Sequence, residues 1–349
     1  MIDTLVTLLG LEAHDPRFWM PLLFAAVLLI IIVCGSVFEG LDTGVGCLSL
    51  IAPPPLQSRM LSLLGPWRDA NSYWLLLGLG VLFAAFPGAW ASIFGRLYLP
   101  LMLLGLGVLL RTSAYELRAR APHTMQAYWA RVFGLGSLLS AFSQGWVLAR
   151  IVAGPAQTTS ILFSLLLGLC ALAWFCLLGA TWLIMREGGA LRARAALWAR
   201  SSIYLAAAGV TALSVVLAFS NTGVYLKWTE GLKWPRIISL WLLLLFCFVG
   251  LDMGLRRLTT ASLRFTSLPF ATVLFVFLVL VGGLIYSFFP YLVLDEMTIW
   301  DAAASTSSLR FVIGLALVAL PVALVFNGWV YRGFVGRSKP PAQPRSPFH

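Results

Sequence analysis

Long apolar runs recur along the whole chain, and they constrain the fold more than any other feature of the sequence. About nine runs approach the roughly 20 residues that a helix needs to cross a bilayer. Only 11% of the residues are charged and 60% are hydrophobic, which is not the balance of an ordinary soluble domain. We therefore predict an all-α, polytopic membrane protein. The expected spans are 18–48, 71–93, 96–114, 131–152, 159–185, 200–220, 236–254, 265–288 and 309–333.

The basic residues predict the orientation of these spans. The net charge of +11 comes from short clusters between apolar runs, so it indicates membrane topology and not nucleic-acid binding. With nine spans, 17 of the 24 Lys and Arg residues fall on the side that holds the C-terminus. The positive-inside rule then places the C-terminus in the cytoplasm and the N-terminus outside.

The chain predicts one membrane domain and a short tail. Residues 1–338 hold all the apolar runs, whereas 339–349 are Pro-rich and basic, which is typical of a disordered cytoplasmic end. The N-terminus lacks a basic n-region and a small-residue cleavage site, so we expect the first run to stay in the mature protein. The five cysteines show no CxxC spacing and indicate neither a disulfide nor a metal site.

Two carboxylates interrupt the end of the first run, in "VFEGLDTGVG". Glu39 and Asp42 are three residues apart and share a helix face. An acid inside a membrane is costly and is a functional-site hypothesis by default. Two close carboxylates are not both ionised in a low dielectric, so the pair could relay protons. The alternative is a hydrated cytoplasmic mouth where Asp42 bonds a neighbouring helix. Gly40 and Gly44 form a GxxxG spacing for close helix packing.

The segment "PWRDANSYW" opens the second span. Asp69 and Asn71 can cap this helix, which is the structural interpretation. The functional interpretation is that the first hairpin brings Asp69 beside Glu39 and Asp42 as an acidic entrance from the cytoplasm. Histidines are absent from the spans, since His14, His123 and His349 fall in predicted loops or tails. Any haem would therefore be held mainly by a partner.

In order along the chain, several stretches resemble subunit II of the bd-type quinol oxidases. "FEGLDTGVG" is similar to that family's "DGFDxGVG", and "RDANSYWLLLGLGVLFAAFP" to its "WDGNxxWL…GGxLFAAxP". Further matches are "GSLLSAFSQGWVLARIVAG", "TWLIMREGG", "FFPYLV…MTIWDAAAS" and "WVYRGFVGR". Two positions depart from the pattern, because Arg68 replaces a Trp and Ala70 replaces a Gly.

The resemblance implies nine helices, as two four-helix bundles plus one, beside a subunit I that carries haems b and d and the quinol site. It implies an electrogenic respiratory enzyme of the bacterial inner membrane, in which quinol reduces oxygen to water. A structural quinone in this subunit, lipid contacts and a small single-helix subunit also follow from it. Carried over, Glu39, Asp42 and Asp69 form a cytoplasmic proton entrance. The neighbours of this entrance are Arg68, Asn71 and Trp74.

Two alternatives stay open at this point. A proton-coupled secondary transporter also uses intramembrane carboxylates, although no second half of the chain carries a matched helix break. A purely structural assembly subunit would bury its partner without taking part in proton flow. We expect no catalytic residue and no metal site in this chain.

Overall fold

The computed structural model describes residues 10, 12, 14–65, 67–154, 160–229, 234–258 and 266–335, and most of them are helical. The predicted tail at 339–349 lies outside these residues. Eleven helices and one hairpin follow each other along the described chain. They are α1 (Pro16–Ser49), α2 (Pro54–Leu63), α3 (Trp67–Ala85), α4 (Pro87–Arg120), α5 (His123–Ala153), α6 (Ile161–Arg186), α7 (Gly189–Ser220), α8 (Thr222–Thr229), α9 (Trp234–Leu258), α10 (Leu268–Phe288), β1 (Tyr291–Val293), β2 (Met297–Thr298) and α11 (Thr306–Val335).

The described chain is that of a polytopic membrane protein. Seven helices are long and apolar enough to cross a membrane, judged by length and composition: α1, α4, α5, α6, α7, α9 and α10. Helices α3 and α11 carry shorter apolar stretches, Tyr73–Ala85 and Thr306–Val318. The count of nine spans and the arrangement in two bundles therefore remain predictions.

The boundary between the second and third spans was predicted at the wrong place. It was expected between residues 93 and 96, but α3 ends at Ala85 and α4 begins at Pro87. Proline has no N–H to donate and its fixed φ suits the first turn of a helix. Helix α4 consequently runs for 34 residues. Arg111, which the count of basic residues assigns to a loop, lies inside this helix.

Helix α1 is central to the packing, because it contacts α3, α5 and α6. Its GxxxG spacing faces α6, as a carbon at the Cβ position of Gly44 would lie 2.0 Å from the carbonyl oxygen of Phe175. The equivalent carbon of Gly40 would lie 2.9 Å from the Phe175 ring. The prediction of a close helix partner at this spacing is confirmed. The two glycines face α6, whereas the partners of Asp42 and Glu39 lie on α3 and α4.

Gly44→Ala is expected to destabilise the protein. The new methyl group would overlap a main-chain atom of α6, which cannot move aside like a side chain, and overpacking costs about 1–3 kcal/mol or more. The matched control is Gly254→Ala in "GLDMG", because nothing described lies within 4 Å of that Cβ position. Thermal unfolding of both variants measures the difference, and equal midpoints would contradict the close approach.

Contacts near the helix ends sort the described chain into two ends. At one end, Arg59 after α1 pairs with Glu187 after α6 at 2.7 Å. At the other, Arg96 near the start of α4 pairs with Glu296 in the hairpin at 2.7 Å. There the indole of Trp300 also donates to the carbonyl of Phe18 at 3.0 Å. The Arg59–Glu187 pair and the contacts of Arg96 and Trp300 thus join segments that the alternating direction of the predicted spans assigns to opposite sides.

Candidate functional site

Glu39 and Arg111 form a buried ion pair between α1 and α4. Glu39 is 4% exposed and Arg111 is fully buried. Arg111 Nη2 donates to Glu39 Oε1, and Nη1 donates to Thr43 Oγ1 at 2.7 Å. Glu39 and Thr43 are one turn apart on α1, so a single guanidinium engages both side chains. The pair compensates two charges that would be costly to bury alone.

Asp42 is held by an amide. Its carboxylate is buried and accepts a hydrogen bond from Asn71 Nδ2 at 3.0 Å. The same nitrogen donates to the carbonyl of Phe38 at 3.3 Å, which joins α3 to α1. Among the described residues, no Lys or Arg nitrogen lies within 4.0 Å of the Asp42 carboxylate. The charge of Asp42 is therefore not part of a direct ion pair in this part of the chain.

Arg68 connects this cluster to the protein surface. Its side chain is 1% exposed, and its guanidinium lies over the ring of Tyr115 at 4.1 Å. Arg68 Nη2 pairs with Glu116 Oε1 at 3.3 Å, and the Glu116 side chain is 47% exposed. Glu116 lies about 7–8 Å farther along α4 than Arg111, at 1.5 Å per residue. Polar groups thus extend from the membrane-length part of α4 to its surface-exposed end.

The structure brings together most of the predicted site residues. Glu39, Asp42, Asn71 and Arg68 form the buried cluster, and Trp74 packs beside it with its ring 6.2 Å from that of Phe38. The Trp74 contact is apolar packing of α3 on α1. Asp69 occupies the first turn of α3, but its side chain lies outside the described part of the chain.

Sequence reasoning missed Arg111 and Thr43. Arg111 was interpreted as a residue at the end of a span, because it bounds the uncharged stretch that begins after Arg96 and its side chain could reach the bilayer surface. The helix ends that the structure gives place the two side chains at similar depth. Glu39 lies ten residues before the end of α1 at Ser49, and Arg111 lies nine before the end of α4 at Arg120. An acid and a base at equal depth on two helices of like direction are expected partners.

The sequence "GLDMG" at 250–254 echoes "GLDTG" but lies outside this cluster. Asp252 pairs with Arg256 at 2.8 Å and with Arg200 at 3.3 Å. Both partners are more exposed than Arg111, and the side chain of Asp252 is 15% exposed. Asp252 therefore serves as a control for Asp42, because it occupies the same "GLD" sequence outside the buried cluster.

The described helices carry a single histidine, so a haem bound within them would need other ligands. His123 is the first residue of α5 and not a loop residue as expected, and no other histidine lies in the described helices. Groups of three or more His, Cys, Asp or Glu side chains that could hold a metal ion are absent from the described residues. The chemistry that this cluster offers is proton exchange at carboxylates, with guanidinium and amide groups holding them in place.

Comparison with known proteins places these features in a family. The model of the family "Cytochrome bd terminal oxidase subunit II" matches residues 20–334. The cytochrome bd ubiquinol oxidase subunit 2 of Bacillus subtilis is 26% identical over 337 residues, which cover 88% of this chain and 94% of that protein. The cytochrome bd-I ubiquinol oxidase subunit 2 of Escherichia coli K12 is 23% identical, covering 88% and 92%.

A solved structure shares the fold. A chain from the bd oxidase of Geobacillus thermodenitrificans superimposes with a TM-score of 0.72, covering 91% of this chain and 99% of that chain. The sequence identity is 18%, so this likeness concerns the fold alone. The fold extends over nearly the whole length of both chains.

Proposed function

The chain belongs to the family of cytochrome bd terminal oxidase subunit II and is a subunit of a bd-type quinol oxidase, and from this premise we propose that its buried cluster delivers protons for oxygen reduction. The cluster consists of Glu39, Asp42, Arg68, Asn71 and Arg111. Oxygen reduction to water consumes four protons per molecule. Drawing them from the cytoplasm, while quinol releases its protons outside, makes the reaction electrogenic.

The observation that carries this proposal is the contrast between Asp42 and its neighbours. Glu39 faces Arg111, and Glu116 faces Arg68, so loss of either acid's charge leaves a buried guanidinium without that partner. Asp42 is bound by the Asn71 amide instead. Its carboxyl group can gain and lose a proton while both ion pairs persist. We therefore assign the exchangeable proton to Asp42.

The entrance is proposed at the end of α4 where Glu116 is exposed. Arg68 and Tyr115 lie between Glu116 and the buried carboxylates, and Tyr115 donates to the carbonyl of Leu64. We place Asp69 at this mouth, because it lies in the first turn of α3 next to Arg68 in sequence. Asp42→Asn tests the route: oxidase turnover falls while the haem spectrum of the complex stays unchanged.

This route requires a cytoplasmic entrance, and the charge distribution supports one. The end that carries the Arg59–Glu187 pair also carries most of the basic loop residues, and Lys and Arg are enriched in cytoplasmic loops. We accordingly propose that the C-terminus is cytoplasmic and the N-terminus periplasmic. The Arg96–Glu296 end then faces the periplasm.

The haems of the complex are proposed to lie on subunit I. When bound there, they supply the electron transfer and oxygen chemistry, and the residues of this chain hold and move protons toward them. A structural quinone in this subunit and a small third subunit are further proposals from the family resemblance. Quinone extraction and subunit analysis of the purified complex test both.

Haem retention is expected to depend on the partner subunit. The complex, gently solubilised with subunit I, should show haem bands in its visible spectrum, whereas this chain purified alone should show none. His123→Ala is the matched control and should leave the haem content of the complex unchanged, because His123 is at the start of α5. Stoichiometric haem on the isolated chain would contradict the assignment.

A purely structural role is the second candidate. The observation that favours it is the Glu39–Arg111 pair, which joins α1 to α4 with both side chains buried. Under this interpretation every variant of the cluster loses activity only as far as it loses assembly. Family membership leaves no support for the secondary-transporter alternative.

A further inference from the structure

Three oxygen atoms lie within 4.0 Å of one point at the end of the molecule opposite the ionic cluster. A carbon at the Cβ position of Gly154, just after α5, would lie 3.2 Å from Asn221 Oδ1, 3.9 Å from Asp295 Oδ2 and 4.0 Å from the carbonyl oxygen of Leu294. Gly154 has φ +70° and carries no side chain to fill this point. We call these three oxygens the outer oxygen cluster.

Asn221 supplies the buried oxygen of this cluster. The residue is 1% exposed, and its Nδ2 donates to the carbonyl of Val152 at 2.9 Å and to that of Leu217 at 3.3 Å. These two acceptors fix the orientation of the amide, so Oδ1 must face the other way. Among the described residues Oδ1 has no hydrogen-bond donor. A buried acceptor of this kind requires a water molecule or an ion.

Asp295 supplies the charge. It lies between β1 and β2 with φ +58°, a left-handed conformation that Asp tolerates better than most residues. Asp295 is exposed, so water as well as an ion can reach its carboxylate. The exposed carboxylate, the buried amide oxygen and the main-chain carbonyl thus lie around one point as three acceptors, and a cation between them would satisfy all three.

We propose that the outer oxygen cluster binds a calcium ion. Carboxylate, amide and main-chain carbonyl oxygens are the ligands that Ca²⁺ takes, in a flexible geometry that water completes. Mg²⁺ demands a near-ideal octahedron, and transition metals favour nitrogen or sulfur ligands. With one carboxylate, the site resembles extracellular modules of weak affinity, with Kd on the order of 10⁻⁴–10⁻³ M.

The ion would connect three segments that are distant in sequence. Gly154 ends α5, Asn221 lies between α7 and α8, and Leu294 and Asp295 belong to the hairpin after α10. Asn221 and Leu294 already border one apolar cluster that includes Val152 and Leu217. Calcium would thus fasten the ends of three helices at the proposed periplasmic side. This inference does not depend on the proton route.

Equilibrium dialysis with ⁴⁵Ca²⁺ on the EDTA-washed oxidase complex tests the site. The wild type should bind one ion per complex that the Asp295→Asn variant does not, with affinity reduced at least about tenfold by loss of the only carboxylate. Calcium should also raise the thermal midpoint of the wild type by roughly 2 °C, and equal Mg²⁺ should not. Asp301→Asn is the matched control, because its carboxylate contacts Thr298 outside the cluster.

The outcomes separate cleanly. Loss of one ion and of the thermal shift in Asp295→Asn, with Asp301→Asn behaving like the wild type, supports the site. Equal binding by the wild type and Asp295→Asn overturns it, as does a wild type that shows no preference for Ca²⁺ over Mg²⁺. In either of those cases the outer oxygen cluster is not a calcium site.

Discussion

Arg111→Met is expected to destabilise the subunit by about 3–5 kcal/mol, the cost of leaving one partner of a buried ion pair alone. Glu39, at 4% exposure, would lose the guanidinium that compensates it, and Thr43 would lose its donor at 2.7 Å. Methionine fills most of the space of the arginine stem, so the effect comes from charge and not from a cavity. The yield of assembled complex and its thermal midpoint measure the loss.

Two variants make this prediction specific. Glu39→Gln combined with Arg111→Met removes both charges and should recover most of the lost stability, because the pair then leaves no uncompensated ion. Arg120→Met is the surface control on the same helix, where the contact to Glu116 is 3.8 Å and exposed, so it should cost under about 1 kcal/mol. A double variant as unstable as the sum of the single ones would show that the two side chains act independently.

Asp42→Asn is expected to reduce oxidase turnover at least about tenfold, since positioned acid–base groups contribute factors of 10²–10⁴ to proton transfer. The substitution keeps an oxygen in reach of Asn71 Nδ2, which now donates to Asp42 at 3.0 Å. Assembly and the haem spectrum should therefore stay as in the wild type. Oxygen consumption with a quinol substrate, normalised to haem, measures the effect.

Asp252→Asn is the matched control, because it lies in the same "GLD" context on α9 and pairs with arginines that are partly or fully exposed. Its turnover should equal that of the wild type. If Asp42→Asn assembles with full haem and turns over at the wild-type rate, the structural interpretation of the cluster is correct and the proton route is wrong. Glu39→Gln is the poorer test of that route, because it also leaves Arg111 without its acid.

The helices and part of the site could be predicted from local sequence patterns. Apolar runs predicted the seven membrane-length helices that the structure describes. The three-residue spacing put Glu39 and Asp42 on one face, and the short first hairpin brought Asn71 to Asp42. Each of these rests on neighbours in sequence or on one tight connection. The long helix from Pro87 could also have been inferred from the proline itself.

The ion pair could not be predicted in the same way. Arg111 is 72 residues from Glu39, and an arginine near the end of an apolar run is usually a residue that reaches the bilayer surface. Its burial follows from packing of α4 against α5 and of α5 against α1, which no local pattern contains. The same holds for Asn221 and Asp295, which are joined only by the folded ends of α5, α7 and α10.

Proton uptake during a single reaction with oxygen tests the central claim most directly. The fully reduced complex is mixed with oxygen in weak buffer, and a pH indicator and the haem absorbance are followed together. The account predicts uptake in Asp42→Asn at least about tenfold slower than in the wild type and in Asp252→Asn. Uptake at the wild-type rate by an Asp42→Asn complex with intact haems would contradict it.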